Sequence, residues 1–101
     1  MATSETIDLE TVVRRSEQIL WSSAGEDLVA LHLEKGVYYG LDAMGAQVWE
    51  ILDGEMTVKE LCGRLLQHYD VEAAICETDT LAFIEPCVRM GLIDVVDPQD
   101  S

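Results

Sequence analysis

The sequence predicts an α+β domain with a winged helix-turn-helix-like layout, in which a three-stranded antiparallel sheet is followed by three helices. Up to Leu41 the apolar residues alternate as in strands, and after it they recur with a helical period. Glycine-containing turns separate the strand-like runs, and polar helix-capping residues follow them. Strands that precede helices in this way are typical of a small sheet covered on one face by helices.

The predicted sheet is a meander of three strands. The strands contain residues 19–21, 28–33 and 37–41, and the turns between them contain residues 24–27 and 34–36. Both turns include a glycine, and short turns of this kind join neighbouring antiparallel strands. We therefore expect the three strands to pair in chain order.

The first two predicted helices are marked by their ends. Asp42 caps the first helix, and the Asp-Gly pair at residues 53–54 ends it. Thr57 and Glu60 form a capping box, in which each side chain binds the other residue's backbone amide, and this box starts the second helix. The second helix has the clearest amphipathic pattern in the chain, with apolar side chains at Val58, Leu61, Cys62, Leu65, Leu66 and Tyr69.

The third helix is expected over residues 72–90 with Gly91 ending it, and residues 92–96 are expected to form a short closing strand. Pro86 is expected to bend this helix because it removes a backbone donor. The apolar surface is wider than one core stripe requires, so the helix is either sandwiched or faces a groove with one side. The expected core side carries Cys76, Thr80, Phe83, Cys87 and Met90, the adjacent side carries Ile75, Asp79, Ala82 and Pro86, and a third arc carries Leu81, Ile84 and Val88.

Length and charge limit what the chain does. Its 101 residues fit one domain, expected over residues 11–96 between flexible tails at residues 1–10 and 97–101. Six basic and twenty acidic residues give a formal net charge of −14, which argues against binding nucleic acid or an anionic membrane. The sequence shows no signal-peptide pattern and no run of membrane-spanning length, so we expect a cytoplasmic protein with reduced thiols.

No residue pattern points to catalysis, a metal or a cofactor. Cys62, Cys76 and Cys87 have no CxxC spacing and fall on apolar helical positions, so we expect them to be buried apolar side chains. His32 and His68 lie in different predicted elements, and the glycines form no phosphate-binding loop. We therefore expect that the protein is not an enzyme.

The third predicted strand, residues 37–41, is the strongest candidate for binding. Its neighbouring tyrosines, Tyr38 and Tyr39, point to opposite faces of the sheet, so one is expected inside and one outside. Glycines at positions 36 and 40 allow another backbone to come close. Two interpretations stay open from these residues alone: an ordinary hairpin strand, or an edge that pairs with a further strand.

Three motifs follow one another in the chain: LHLEKGVYYGLD at residues 31–42, GAQVWEILDG at residues 45–54 and TVKEL at residues 57–61. Together they resemble the PqqD-like family, whose members are also called RiPP recognition elements. The resemblance covers roughly residues 11–96. It implies a winged-helix-like fold that binds the leader segment of a ribosomally synthesised precursor peptide. In the family, the leader adds antiparallel to the third strand and lies between that strand and the third helix.

The resemblance also implies a separate partner enzyme, to which the bound leader is presented. In this family the partner is a lasso-peptide leader peptidase or a radical tailoring enzyme of the pyrroloquinoline quinone type. The alternative function is a winged-helix regulatory or DNA-binding module, because function does not follow from fold, although the charge argues against it. The resemblance is carried over to this sequence by position, and Thr78 is included because the helical phase could be shifted by one residue. The predicted peptide-binding residues are Val37, Tyr38, Tyr39, Gly40, Leu41, Ile75, Thr78, Asp79, Ala82 and Pro86.

Overall fold

The computed structural model describes residues 7–96, which fold into an α+β unit with two small sheets and three helices. The tails were predicted at residues 1–10 and 97–101, and of these, residues 1–6 and 97–101 lie outside the described residues. Residues 7–10 belong to the packed unit, because Ile7 and Leu9 contact the core. The elements in chain order are β1 (Val12–Arg15), β2 (Ile19–Ala24), β3 (Asp27–His32), β4 (Val37–Leu41), α1 (Ala43–Ile51), β5 (Met56–Thr57), α2 (Val58–Leu65), α3 (Ala73–Met90) and β6 (Ile93–Val96).

The predicted three-stranded meander is confirmed as the sheet β2–β3–β4, which is antiparallel throughout. Its two turns need backbone conformations that favour glycine. Gly25 has a φ of 71° in the β2–β3 turn, and Gly36 has a φ of 67° in the β3–β4 turn. A side chain at either position would meet a steric penalty in this left-handed region, which explains why both turns carry glycine.

A second antiparallel sheet, in the order β5–β1–β6, was not predicted. The predicted closing strand is present as β6, and its partner is β1, with Val12 opposite Val96 and Arg15 opposite Ile93. β5 pairs with the other side of β1. β1 and β6 have four residues each, which is too short for a clear alternation, and they lie at opposite ends of the chain.

The helix caps explain where α1 and α2 begin. The Asp42 carboxylate accepts a hydrogen bond from the Gly45 amide at 3.0 Å, and the Thr57 hydroxyl accepts one from the Glu60 amide at 3.0 Å. The second half of the predicted capping box is not formed, because the Glu60 carboxylate bonds to Arg64 at 3.0 Å instead. The first backbone amides of α2 instead donate to the N-terminal segment, from Val58 to Thr11 and from Lys59 to Leu9, each at 3.0 Å.

The face that α3 turns to the core differs from the predicted one. Ile84, which the sequence placed on a third arc, is fully buried together with Cys76, Thr80 and Cys87. Phe83 and Met90 are only half-buried. The helix is therefore rotated so that these two side chains flank the core instead of filling it.

None of the helices in residues 7–96 has the length and apolar character needed to cross a membrane.

Replacing Gly91 is expected to destabilise the fold. Gly91 ends α3 with a φ of 82°, and an added Cβ would lie 3.0 Å from Nε2 of His32. We expect Gly91→Ala to lower the free energy of unfolding by about 1–2 kcal/mol, from the left-handed conformation alone. Urea unfolding followed by circular dichroism measures this change.

Gly63→Ala is the matched control for Gly91→Ala. Gly63 lies in α2 with open space around its Cβ position and no positive φ. Alanine is the better helix former, so this control is expected to be neutral or stabilising by up to about 1 kcal/mol. Equal losses of stability in both variants would show that the cap of α3 carries no special strain.

Candidate functional site

The sheet β2–β3–β4 has two edge strands, β2 and β4, and the edge of β4 is the one that the sequence predicted to bind. β4 pairs with β3 on one side, and among residues 7–96 no strand pairs with its other side. The register sets Leu41 opposite Leu28, Tyr39 opposite Ala30 and Val37 opposite His32. Such an edge presents unpaired backbone donors and acceptors to any extended chain that comes beside it.

Two hydrogen bonds show which backbone groups of β4 point to the open edge. The Leu33 amide donates to the Gln18 carbonyl at 2.8 Å, on the β2 side, and the Gly36 amide donates to the His32 carbonyl at 2.8 Å, on the β4 side. Backbone groups of successive strand residues point to alternate sides, so the even-numbered residues of β3 face β4. Their partners in β4 are residues 37, 39 and 41. The backbone groups of Tyr38 and Gly40 therefore face the open edge.

The side chains of β4 leave this edge accessible. Tyr39 packs partly against the core and Leu41 is buried, whereas Tyr38 lies on the other face with 69% of its surface exposed. No heavy atom lies within 4 Å of the Cβ position of Gly40. A further backbone can therefore approach Gly40 closely without displacing a side chain.

α3 runs beside β4 and touches it near both ends. The ring of Phe83 and the Cβ of Leu41 converge on Gly45, within 2.9 and 3.3 Å of its Cβ position. At the other end, Nζ of Lys35, in the turn before β4, donates to the Met90 carbonyl at 3.0 Å. Between these contacts the two elements do not pack closely. We call the space between the open edge of β4 and the flank of α3 that carries Phe83 and Met90 the groove.

The predicted helix residues lie at different distances from this groove. At 100° per residue, Asp79 and Pro86 share the flank of Phe83 and so border the groove. Ile75 and Ala82 point farther from the core and are exposed, and Thr78 points almost directly away from it. Phe83 and Met90 complete the groove-facing flank, although the sequence assigned both to the core. Pro86 lies inside α3, which continues to Met90.

The groove has the character of a binding surface for main chain and apolar side chains. Asp79 is an exposed acidic group on its helical flank, and the ammonium of Lys35 is held by the Met90 carbonyl. The described residues contain no cluster of three or more histidine, cysteine or acidic side chains able to hold a metal ion.

The three cysteines do not form a nucleophilic site. All are free and buried. Burial raises the pKa of Cys87 to about 11, and burial is also the main cause that raises the pKa of Cys62. Thiols with a raised pKa stay protonated at neutral pH and are poor nucleophiles. These side chains serve as small apolar residues of the core, as the sequence predicted.

A separate cleft of about 430 Å³ lies between β1, β2 and the end of α1. In it, the guanidinium of Arg15 lies 5.3 Å from the ring centre of Trp21 and 5.7 Å from that of Trp49. Arg14, beside it, is 3.6 Å from Glu55 and 3.9 Å from Asp94. The sequence gave no sign of this cleft, because its residues come from distant parts of the chain.

Comparisons with known proteins place the chain in a family. Residues 27–93 match the family described as coenzyme PQQ synthesis protein D (PqqD). The chain is similar to a solved structure described as TbiB1 in complex with the TbiA(beta) leader peptide. The TM-score is 0.73 and the sequence identity is 26%, over 80% of this chain and 94% of that chain. A comparison with curated proteins gives no match.

The family match begins at the first residue of β3 and ends at the first residue of β6, so it includes all of β4 and α3. It agrees with the resemblance found in the sequence motifs, and the similar solved structure shares the α+β fold. Because the match covers about two thirds of the residues, the chain belongs to the PqqD family.

Proposed function

We propose that this protein binds the leader segment of a ribosomally synthesised precursor peptide and presents it to a separate peptide-modifying enzyme. The leader lies as an antiparallel strand beside β4, in the groove between β4 and α3. The protein acts as a carrier for the peptide, and the bond-making or bond-breaking step belongs to the enzyme. That enzyme is a leader peptidase of the lasso-peptide type or a radical tailoring enzyme.

The observation that carries this proposal is the open edge of β4, where the backbone groups of Tyr38 and Gly40 have no strand partner among residues 7–96. Strand addition gains affinity from such main-chain bonds and specificity from pockets for alternate side chains. α3 supplies the second wall. The similar solved structure is a complex with a leader peptide, which supports the same kind of ligand for this chain.

A titration tests the proposal directly. The labelled leader half of a short precursor peptide encoded beside this gene is titrated with the protein, and fluorescence polarisation is recorded. We expect saturable binding with a Kd between about 10 nM and 10 μM, which corresponds to roughly −11 to −7 kcal/mol. A folded protein that binds none of the neighbouring short peptides would contradict the proposal.

The acidic flank of the groove is expected to select basic leaders. Asp79 is exposed beside the groove, so Asp79→Lys places a positive charge next to the bound peptide. Exposed charge pairs contribute little to the binding free energy, so we expect the affinity for a leader with a basic residue to fall only about two- to fivefold. The same titration measures it, and the difference should shrink in high salt.

Glu85→Lys is the matched control for Asp79→Lys. It makes the same change of charge on the same helix, at an exposed position turned away from the groove. Glu85 forms an exposed ion pair with Arg89 at 4.0 Å, whose loss is expected to cost little stability. Equal losses of affinity in both variants would mean that overall charge, not the position of Asp79, governs binding.

A further inference from the structure

The outer face of the sheet β2–β3–β4, turned away from the helices, is apolar and exposed. Because opposite residues in paired strands point to the same side, Leu20, Leu31 and Tyr38 form one row across the sheet. Ser22, Val29 and Gly40 form the next row. We call these six residues the outer face.

None of the six positions of the outer face is charged, although 26% of the residues in the chain are. Leu20 is 58% exposed and Val29 is 40% exposed. Together with Tyr38 they line an open, shallow depression. Contiguous exposed apolar surface of this kind marks an interaction site more often than isolated apolar residues do.

Charges gather at the two ends of this face. Glu26 and Asp27 lie at the β2–β3 turn, and Glu34 lies at the β3–β4 turn, all of them exposed. Lys35 in the same turn is bonded to the Met90 carbonyl. A partner that covers the apolar rows therefore meets net negative charge at the β2–β3 turn, which favours basic residues on the partner's rim there, whereas Glu34 is balanced by the neighbouring Lys35 at the other end.

A second copy of the chain does not fit this face. Each copy has a net charge of −14, so two copies placed face to face repel each other. Residues 1–6 and 97–101 of the sequence do not fit it either. They contain Met1 as their one large apolar side chain and three acidic residues, Glu5, Asp97 and Asp100.

The outer face is continuous with the peptide edge, because Tyr38 belongs to both. A peptide that adds beside β4 alternates its side chains, so half of them extend the outer face next to Tyr38. The sheet and the peptide then form one composite surface. A protein docked on this surface contacts peptide and carrier together.

We propose that the outer face is the docking surface for the peptide-modifying enzyme, which binds it through an apolar patch with a basic rim. This inference rests on the proposed function and specifies where its partner enzyme binds. The enzyme binds the complex of carrier and leader more tightly than the free carrier, since the leader contributes part of the surface. The groove selects the peptide, and the outer face recruits the enzyme.

The test uses Leu20→Glu and Val29→Glu, which put a charge into the outer face away from the open edge. Val95→Glu is the matched control, because Val95 is also a strand valine, 46% exposed, on the other sheet. The precursor leader and the modifying enzyme encoded beside this gene are the probes. Leader affinity is measured by polarisation, and capture of the enzyme by the immobilised carrier is measured with and without leader. Circular dichroism shows that each variant is folded.

We expect both outer-face variants to bind the leader within about twofold of the unaltered protein. Their capture of the enzyme and the enzyme's kcat/KM for the full precursor should fall at least about tenfold, while Val95→Glu changes neither. Full enzyme capture by the folded outer-face variants would overturn this inference but leave the proposed function standing. The inference would also be overturned if the unaltered protein sediments as a dimer and the Leu20→Glu variant as a monomer, because a second copy would then cover the face. Failure of the unaltered protein to bind leader would overturn the proposed function and this inference together.

Discussion

Tyr38→Pro is expected to abolish most of the leader binding while the protein stays folded. The Tyr38 amide faces the open edge of β4 and makes no bond to β3, and its side chain is mostly exposed, so the fold loses little. The bound leader loses a main-chain hydrogen bond and meets the proline ring at the pairing edge. Together these effects are expected to cost about 2 kcal/mol or more, or at least about thirtyfold in Kd by fluorescence polarisation.

Two further variants separate the causes of that loss. Tyr38→Ala removes the ring but keeps the amide, so it is expected to bind the leader far better than Tyr38→Pro does. Tyr39→Pro removes an amide that faces Ala30 of β3, so it should destabilise the sheet itself. Proline at adjacent positions therefore has opposite consequences, since one position serves the ligand and the next serves the fold.

A folded Tyr38→Pro variant with unchanged affinity would rule out strand addition at this edge. The leader would then have to bind through side chains or beside the other edge strand, β2. If Tyr39→Pro stayed folded and Tyr38→Pro unfolded, the alternation of backbone groups along β4 would be the reverse of the one in the structure. Thermal unfolding by circular dichroism distinguishes these outcomes before any titration.

The meander and the helix starts were predictable because their signals are local. Gly25 and Gly36 mark turns that need a positive φ, and Asp42 and Thr57 mark helix caps. The second sheet was not predictable in the same way. β1 pairs with β6 across nearly the whole described chain, and a four-residue strand carries too little pattern to name such a distant partner.

The groove was predictable on its strand side and less so on its helix side. Period-2 alternation predicted that one tyrosine of β4 points inward and the other outward, and the structure identifies Tyr39 as the inward one. α3 has apolar residues on several arcs, so periodicity alone did not choose the core face, and Ile84 was missed. The useful signal was in another element: Gly45 inside α1 permits the close approach of the Phe83 ring, and a glycine within a helix often marks such a contact. That contact sets Phe83 at the edge of the core, beside the groove.

Trp49→Ala is expected to have the largest effect on stability. The Trp49 side chain has no exposed surface, and its ring centre lies 6.4 Å from that of Trp21 in an edge-to-face arrangement. Truncating a buried tryptophan leaves a cavity and costs about 3–5 kcal/mol, a large share of the roughly 5–15 kcal/mol that stabilises a typical domain. We expect the midpoint of urea unfolding to fall accordingly, with most of the protein unfolded at moderate temperature.

Two variants test whether the packing of Trp49 is the cause. Trp21→Ala removes the other ring of the pair, but Trp21 is 41% exposed, so we expect a loss of only about 1–2 kcal/mol. Trp49→Phe keeps an aromatic ring in the core. It also removes a buried indole N–H that has no acceptor within residues 7–96, and this gain offsets part of the stability lost with the smaller ring.

The three tryptophan variants also connect stability to binding. Trp49 lies one helical turn after Gly45 in α1, the residue against which Phe83 rests beside the groove. If α1 positions Phe83, then Trp49→Phe, which keeps α1 packed, should bind the leader nearly as well as the unaltered protein. Trp49→Ala is measured in the cold, where a fraction of the protein stays folded. Its affinity for the leader should then be lower than the loss of folded protein alone would predict. Binding that follows the folded fraction in every variant would show that Trp49 stabilises the domain without shaping the groove.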